Sequence, residues 1–306
     1  ALQTSKQYEL ALTYFNRALS IRPDYADALL NRGLLALAQK DYRQALDDFD
    51  QVHSPEAEAR ALMCLYELGH IDTLFSRLTV SAESTCTNLR VAALAAFVSH
   101  QTQRPNPYQF CQAPLDFVYR SKLALHSDKP NKLIENIMSE LNDVATTWEP
   151  VGKTTQHGYQ STVDVFESNG EAMRALRTIV DKEITQYRQA FNASNAHFIQ
   201  HWPENPRINA WFVELHKGGF QAPHIHPDGW LSGVIYLNVV PDNDQQEGAI
   251  TFTLNGEGFA APNAPSVTVV PQAGDIVLFP SSLYHTTVPF SADEKRVIIS
   301  FDLRPN

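Results

Sequence analysis

The sequence is poor in cysteine and in positive charge, and it lacks long apolar runs. The three cysteines, Cys64, Cys86 and Cys111, show no C-x-x-C spacing, which argues against a zinc site and favours buried, unreactive thiols. The formal net charge of -10 argues against a nucleic-acid partner, because phosphate binding needs surplus Lys and Arg. No run of about 18 apolar residues occurs, so we expect no membrane span. With no signal peptide recognisable at the start, we expect a cytoplasmic protein.

The length and one proline-rich segment predict two domains. A chain of 306 residues can bury two separate cores of ordinary size. Residues 103–107 form a polar run interrupted by two prolines, which is typical of a connection between domains. We therefore expect a helical domain over residues 1–104 and a second domain over residues 105–306.

The first domain contains an internal repeat. Three residues recur 34 positions later: Tyr8, Ala11 and Phe15 return as Tyr42, Ala45 and Phe49. This period is typical of tetratricopeptide repeats, in which small residues let two helices approach and aromatic rings fill the groove between them. A degraded third unit over residues 56–78 and a helix over 87–100 follow. The segment resembles such repeats, which implies a surface for a peptide or protein partner, with a purely structural role as the alternative.

The second domain changes from helices to short strands. We expect a strand over residues 115–125 and helices over 131–145 and 171–191. Six further strands follow, over 210–215, 233–239, 249–254, 266–270, 275–279 and 296–303. Short strands with Gly and Pro between them predict a sandwich or barrel, and the whole chain is therefore α+β.

Histidines lie where these strands begin. His224, His226 and Asp228 alternate along the chain, and His285 follows about sixty residues later. Side chains two apart share one face of a strand, so either His224 with His226 or His226 with Asp228 can meet one ion. With His285 as the third ligand, such a site keeps open positions for a co-substrate and oxygen, which suits a catalytic iron.

Four segments around these histidines, residues 223–237, 248–252, 274–281 and 296–302, resemble the 2-oxoglutarate/Fe(II) oxygenases, which include the prolyl hydroxylases. The similarity covers roughly residues 156–306. It implies a double-stranded β-helix, or jelly roll, that uses Fe(II), 2-oxoglutarate and O2. In that superfamily a His, a carboxylate two residues later and a distal His bind the iron, and a late Arg binds the far carboxylate of 2-oxoglutarate.

Carried over by position, the resemblance assigns His224 and His285 to iron and Arg296 to 2-oxoglutarate, with Tyr236 beside it. A guanidinium suits a carboxylate because it can make two charge-assisted hydrogen bonds. The sequence departs from the pattern at His226, where a carboxylate is usual. We prefer the set His224, His226 and His285; the alternative pairs His226 with Asp228 and leaves His224 outside the ligand set.

The resemblance also implies a reaction. 2-Oxoglutarate would be oxidised to succinate and CO2 while a C–H bond of a peptide, an amino acid or a small molecule is hydroxylated. Two alternatives stay open: a three-His iron dioxygenase that does not use 2-oxoglutarate, and a catalytically inactive, repeat-based protein-binding module. We expect Trp211 to pack inside the barrel, whereas Trp230 could either pack or stand at the mouth of the cleft.

Overall fold

The computed structural model describes residues 2–83, 86–241 and 244–306, and it divides into two compact units. The first unit is Ala1–Gln109 and the second is Phe110–Asn306. The division lies five residues beyond the boundary expected from the proline-rich segment. Within the described ranges, no helix combines the length and the apolar character needed to cross a membrane.

The described part of the first unit is built from six α-helices. They are α1 (Leu2–Ile21), α2 (Ala26–Ala38), α3 (Tyr42–Phe49), α4 (Pro55–Glu67), α5 (Ile71–Ala82) and α6 (Leu89–Thr102). Helix α3 begins after Asp41, whose side chain accepts a hydrogen bond from the Gln44 amide, and α4 begins after Ser54 with a proline in its first turn. Both are favourable N-terminal caps. Consecutive helices from α1 to α5 pack on one another, and α6 packs on α4.

The core of the first unit uses a small residue opposite an aromatic ring. Ala45 and Phe49 of α3 are buried, and the Phe49 ring lies over Gly33 of α2. A Cβ atom at Gly33 would stand 2.7 Å from that ring, so a larger residue would force the two helices apart. Phe15, the repeat counterpart of Phe49, is only half-buried and packs on the edge of the same cluster.

The second unit combines helices and strands. Its α-helices are α7 (Pro130–Leu141), α8 (Glu171–Ala190) and α9 (His197–Gln200). Its strands are β1 (Tyr119–Lys122), β2 (Thr146–Trp148), β3 (Thr155–Ser161), β4 (Arg207–Gln221), β5 (Leu231–Asn238), β6 (Ile250–Thr253), β7 (Ser266–Val269), β8 (Asp275–Pro280), β9 (Tyr284–Thr287) and β10 (Arg296–Arg304).

The strands form two antiparallel sheets. The larger sheet has the order β1-β8-β5-β10-β4-β3-β2, and the smaller has the order β7-β6-β9. The two sheets meet where Phe252 of β6 contacts Phe279 of β8, with ring centroids 4.8 Å apart. Strands β5, β8 and β10 are buried along nearly their whole length, so the centre of the larger sheet is the core of this unit.

Most of the strands and helices expected in the second unit are confirmed; the sequence did not predict β2, β3, β9 or α9, and two expected strands differ in extent. The strand expected over residues 210–215 extends to fifteen residues as β4. The expectation of a strand over residues 115–125 is correct only for β1, because short 3-10 turns over Pro114–Phe117 and Leu123–Leu125 flank it. Pro114 starts the first of these turns, where its fixed φ and missing N–H do not suit a strand.

Candidate metal centre

Backbone pairing brings three histidines to one point between the two sheets. His224 and His285 exchange both backbone hydrogen bonds, with N···O distances of 3.1 and 3.0 Å, and so form an isolated bridge. The His226 amide donates to Ser281 O at 3.0 Å, on the turn between β8 and β9. The loop that carries His224 and His226 is therefore attached to the segment that carries His285.

The three imidazoles face one another. One ligand nitrogen from each of His224, His226 and His285 lies within 4.8 Å of the others. The ring centroid of His224 is 4.3 Å from that of His285 and 5.1 Å from that of His226. No other group of three or more potential metal ligands occurs in the described segments of the chain.

Hydrogen bonds determine which nitrogen of each imidazole faces the other two histidines. Every Nδ1 has an acceptor outside the group: Ala222 O at 2.7 Å for His224, Leu283 O at 3.0 Å for His285 and Asp302 Oδ1 at 2.5 Å for His226. This network assigns the proton to Nδ1 in all three rings. In the neutral form of each ring Nε2 then carries a free lone pair, which is the form of imidazole that binds a metal ion.

Burial favours the neutral form of two of these rings. Burial, together with the adjacent His226, lowers the pKa of His224 to about 3. Burial and both neighbouring histidines hold the pKa of His285 well below its ordinary value. Both imidazoles are thus unprotonated at neutral pH, so a divalent cation need displace no proton from them.

A buried carboxylate supports the third ring. Asp302 of β10 is 2% exposed and accepts hydrogen bonds from His226 Nδ1 at 2.5 Å and from Ser232 Oγ at 2.7 Å. Burial alone would raise the pKa of Asp302, but the charge and hydrogen bond of His226 and the Ser232 bond lower it overall. No role for Asp302 follows from the sequence alone; its one signal is a carboxylate within a mostly apolar strand.

The structure also gives the positions of three other residues that the sequence singled out. Asp228 lines the adjoining cavity, but its side chain is exposed and it lies outside the three-histidine group. Trp211 lines the cavity and lies 5.4 Å from the His226 ring, centroid to centroid, so the expectation that it only packs the barrel is wrong. Trp230 is buried, and its indole N–H donates to Phe198 O. The indole lies in an aromatic cluster away from the cavity.

Arg296 is buried, and its two terminal nitrogens make no hydrogen bond to the described residues. It is 1% exposed at the start of β10, and its Nε donates to Gly248 O at 3.0 Å. The turn that presents this carbonyl depends on glycine, because Gly248 has a φ of +74° and an added Cβ would lie 2.5 Å from Val240.

Tyr236 stands beside Arg296 in the same buried environment. The Arg296 guanidinium carbon is 5.1 Å from the centre of the Tyr236 ring, and the Tyr236 hydroxyl has no hydrogen-bond partner in the part of the chain that the structure describes. Burial raises the pKa of Tyr236 to about 12, although the Arg296 charge opposes the rise. Unpaired buried donors are costly, so these groups together predict an anionic ligand.

One cavity connects the histidines with Arg296. It has a volume of about 690 Å³ and is lined by His224, His226, His285 and Arg296, among others. Small-molecule sites typically span about 300–1,000 Å³. Three neutral imidazoles at one point and unsatisfied guanidinium donors in the same cavity fit a divalent metal ion together with a carboxylate-bearing co-substrate.

Comparison with known proteins gives a family match within the second unit. Residues 209–302 match the family model described as "Putative 2OG-Fe(II) oxygenase", and this segment contains all three histidines and Arg296. The chain carries a 2-oxoglutarate/Fe(II) oxygenase domain. Fe(II) and 2-oxoglutarate are its cofactors, and O2 is the other co-substrate of that family. No significant match was found among curated proteins.

Several solved oxygenase structures are similar to this chain at low sequence identity. The similarity to a Pseudomonas putida prolyl-4-hydroxylase covers 70% of this chain and 99% of that protein, with 18% sequence identity and a TM-score of 0.44. A Trichoplax adhaerens prolyl hydroxylase, solved with a hypoxia inducible factor peptide fragment, is 15% identical over 71% of this chain and 90% of its own, with a TM-score of 0.44. HygX from Streptomyces hygroscopicus, solved with nickel and 2-oxoglutarate, is 13% identical over 62% of this chain and 83% of its own, with a TM-score of 0.43.

Proposed function

We propose that the oxygenase domain binds Fe(II) through His224, His226 and His285 and hydroxylates a C–H bond of a peptide, an amino acid or a small molecule. The observation that carries this proposal is the convergence of three imidazoles whose Nδ1 atoms are all engaged elsewhere. Three protein ligands leave coordination positions open for co-substrates, as oxygenase chemistry requires. Asp228 is not part of this ligand set.

Arg296 and Tyr236 are proposed to hold the far carboxylate of 2-oxoglutarate. The two free Arg296 nitrogens can donate to both oxygens of one carboxylate, and the Tyr236 hydroxyl can add a third donor. These donors are buried and have no partner among the described residues. A carboxylate that binds there therefore satisfies them and displaces no existing hydrogen-bond partner. The hydrogen bond from Arg296 Nε to Gly248 O fixes the orientation of the guanidinium group.

The proposed reaction consumes one O2 and one 2-oxoglutarate for each product. One oxygen atom enters the new hydroxyl group and the other enters succinate, while the former C1 carboxylate leaves as CO2. When bound, Fe(II) supplies the oxygen activation for this chemistry. The protein orients the co-substrate through Arg296 and fixes the imidazoles through their Nδ1 bonds.

Succinate formation tests the proposal without knowledge of the primary substrate. Purified protein is supplied with Fe(II), O2 and 2-oxoglutarate alone, and slow uncoupled turnover is measured by mass spectrometry. We expect succinate that depends on all three additions and is lost in His285→Ala. A folded, iron-loaded sample that neither binds 2-oxoglutarate nor forms succinate would instead favour a three-His dioxygenase without 2-oxoglutarate or an inactive binding module.

For the fold, we propose a double-stranded β-helix for the oxygenase domain, formed by the two facing sheets, and tetratricopeptide-type repeats for helices α1–α4. The repeat proposal is supported by the 34-residue recurrence and by the buried pair of Ala45 and Phe49 against Gly33. Such repeats could bind a peptide or protein partner. Hydrogen exchange of the full chain with a mixture of cellular peptides should then show protection in α1–α3, and unchanged exchange would argue for a structural role.

A further inference from the structure

The three-histidine ligand set lacks a carboxylate, yet a carboxylate lies directly behind one ligand. His226 occupies the position where the resembling oxygenases have an acidic residue, so the proposed ligands are all neutral. Asp302 Oδ1 is 2.5 Å from His226 Nδ1. We infer that Asp302 is a positioning residue that supplies, through His226, the negative charge that the metal centre lacks among its own ligands. This inference rests on the proposed ligand set.

The surroundings of Asp302 direct its carboxylate at His226. Oδ1 accepts from His226 Nδ1 and from Ser232 Oγ. Ser232 Oγ in turn lies 2.8 Å from Ser281 Oγ, next to the turn whose backbone holds the His226 amide. One hydroxyl group and one imidazole therefore fix the carboxylate in one orientation, and Ser281 in turn holds that hydroxyl; this network contains no other acidic side chain.

The backbone makes this position rigid. Asp302 lies on β10, between β5 and β4, in register with Ser232 on one side and Asn209 on the other. Strands in the middle of a sheet are held by ladder hydrogen bonds on both sides. The distance between Asp302 and the His226 ring is thus set by the sheet rather than by a surface loop.

The one cation near Asp302 does not replace His226 as its main partner. Arg304 Nη2 is 3.4 Å from Asp302 Oδ2, and the Arg304 side chain is 39% exposed whereas that of Asp302 is 3% exposed. A long bond to a partly hydrated guanidinium is weaker than the buried bond to Nδ1. The carboxylate charge is therefore felt mainly by the imidazole and, through it, by the ion.

A carboxylate behind a metal-binding histidine has a defined chemical effect. It fixes the tautomer, orients the ring and makes Nε2 a stronger electron donor, and its removal typically costs about 10–100-fold in metal affinity. One carboxylate and three imidazoles give the centre the same total charge as two imidazoles and one carboxylate. Asp302 thus offsets the exchange of an acidic ligand for His226, although its carboxylate lies behind the imidazole and not on the ion.

Metal titration tests this inference independently of activity. Co(II) binding, followed by its visible spectrum, and anaerobic Fe(II) binding are measured for the full chain and for Asp302→Asn. We expect affinity to fall about 10–100-fold, with an altered Co(II) spectrum. Asp275→Asn is the matched control, because Asp275 is also 2% exposed but lies at the start of β8 with Arg120 and Lys122; its metal affinity should equal that of the wild type.

A compensating variant makes the test sharper. His226→Asp alone would place a second carboxylate beside Asp302, where like charges repel. Combining His226→Asp with Asp302→Asn restores a single negative charge, so the double variant should bind Co(II) more tightly than either single variant. Equal affinity of wild type and folded Asp302→Asn would overturn the inference, as would a double variant weaker than both single variants. If His285→Ala also binds metal normally, the proposed ligand set itself is wrong.

Discussion

The two units each contain an arginine beside a buried polar site, half-buried at Arg32 and fully buried at Arg296, and the two guanidinium groups have opposite surroundings. In the first unit, Arg32 donates to both oxygens of the fully buried Asp48 and also to Asn16. In the oxygenase domain, Arg296 is more deeply buried but makes one hydrogen bond, to Gly248 O, and its two terminal nitrogens have no partner among the described residues. Arg296 also faces a cavity.

The difference separates a structural charge from a binding charge. Folding normally satisfies a buried charge, as Arg32 does for the buried Asp48 carboxylate, because an unpaired buried charge costs several kcal/mol. A buried guanidinium with free donors is tolerated where a ligand satisfies them. The comparison therefore predicts that substitutions at the two sites affect different properties: stability at Arg32 and Asp48, and ligand affinity at Arg296.

The largest expected effect is on 2-oxoglutarate binding. Arg296→Ala should weaken 2-oxoglutarate binding by about 100-fold or more, since truncating one partner of a buried charged pair costs roughly 2–5 kcal/mol. Calorimetric titration of the metal-loaded protein measures this. Arg207→Ala is the control, because it removes the same charge from the start of β4, where Arg207 is exposed and outside the residues that line the cavity; its 2-oxoglutarate affinity should be nearly unchanged. An unaltered affinity in Arg296→Ala would remove the assignment of this residue.

The second effect is on the stability of the first unit. Asp48→Asn should lower the free energy of unfolding by about 1.5–3 kcal/mol, because it weakens the charge-assisted hydrogen bonds that the buried Asp48 side chain receives from the half-buried Arg32. By contrast, Arg296→Met should leave the ligand-free protein equally stable or more stable, since it replaces an unsatisfied buried charge with an apolar chain. Urea denaturation of both variants checks this, and a large loss of stability in Arg296→Met would contradict it.

The third effect is a local response to the co-substrate. At a 2-oxoglutarate concentration of about 100 times its Kd, binding should stabilise the oxygenase domain by about 2.7 kcal/mol. Hydrogen exchange should slow in β5 and β10, which carry Tyr236 and Arg296, and stay unchanged in α1–α5. Arg296→Ala should abolish the response. Slower exchange in α1–α5 alone would contradict this prediction, because it would place 2-oxoglutarate in the first unit.

The smallest effect near neutral pH is an acid sensitivity of the metal-free oxygenase domain. The pKa of His224 falls to about 3 in the folded protein, while an unfolded histidine has a pKa of about 6.5. The unfolded state therefore binds more protons between these values, and stability decreases as the pH falls from about 6.5 toward 3, by up to about 1.4 kcal/mol per pH unit for His224. His285 should add to the same trend. Denaturation curves at several pH values measure the slope, and stability that is constant across this range would contradict it.

The sequence predicts local features better than contacts across the sheet. The helical periods and the strand over 233–239 follow from hydrophobic spacing, which is a local property. The contact of Asp302 with His226 could not be predicted in the same way, because it joins residues 76 positions apart through strand register. For the same reason the sequence left open whether His224 or Asp228 is the second ligand beside His226. The backbone bridge between His224 and His285 joins distant parts of the chain and forms only in the folded protein.

Anaerobic Fe(II) titration of three proteins tests the central claim most directly. The wild type and Arg296→Ala should each bind one Fe(II) per chain, but only the wild type should then bind 2-oxoglutarate tightly. His285→Ala should bind Fe(II) far more weakly while remaining folded by circular dichroism. Fe(II) binding by His285→Ala with wild-type affinity would contradict convergence of the three histidines on one iron.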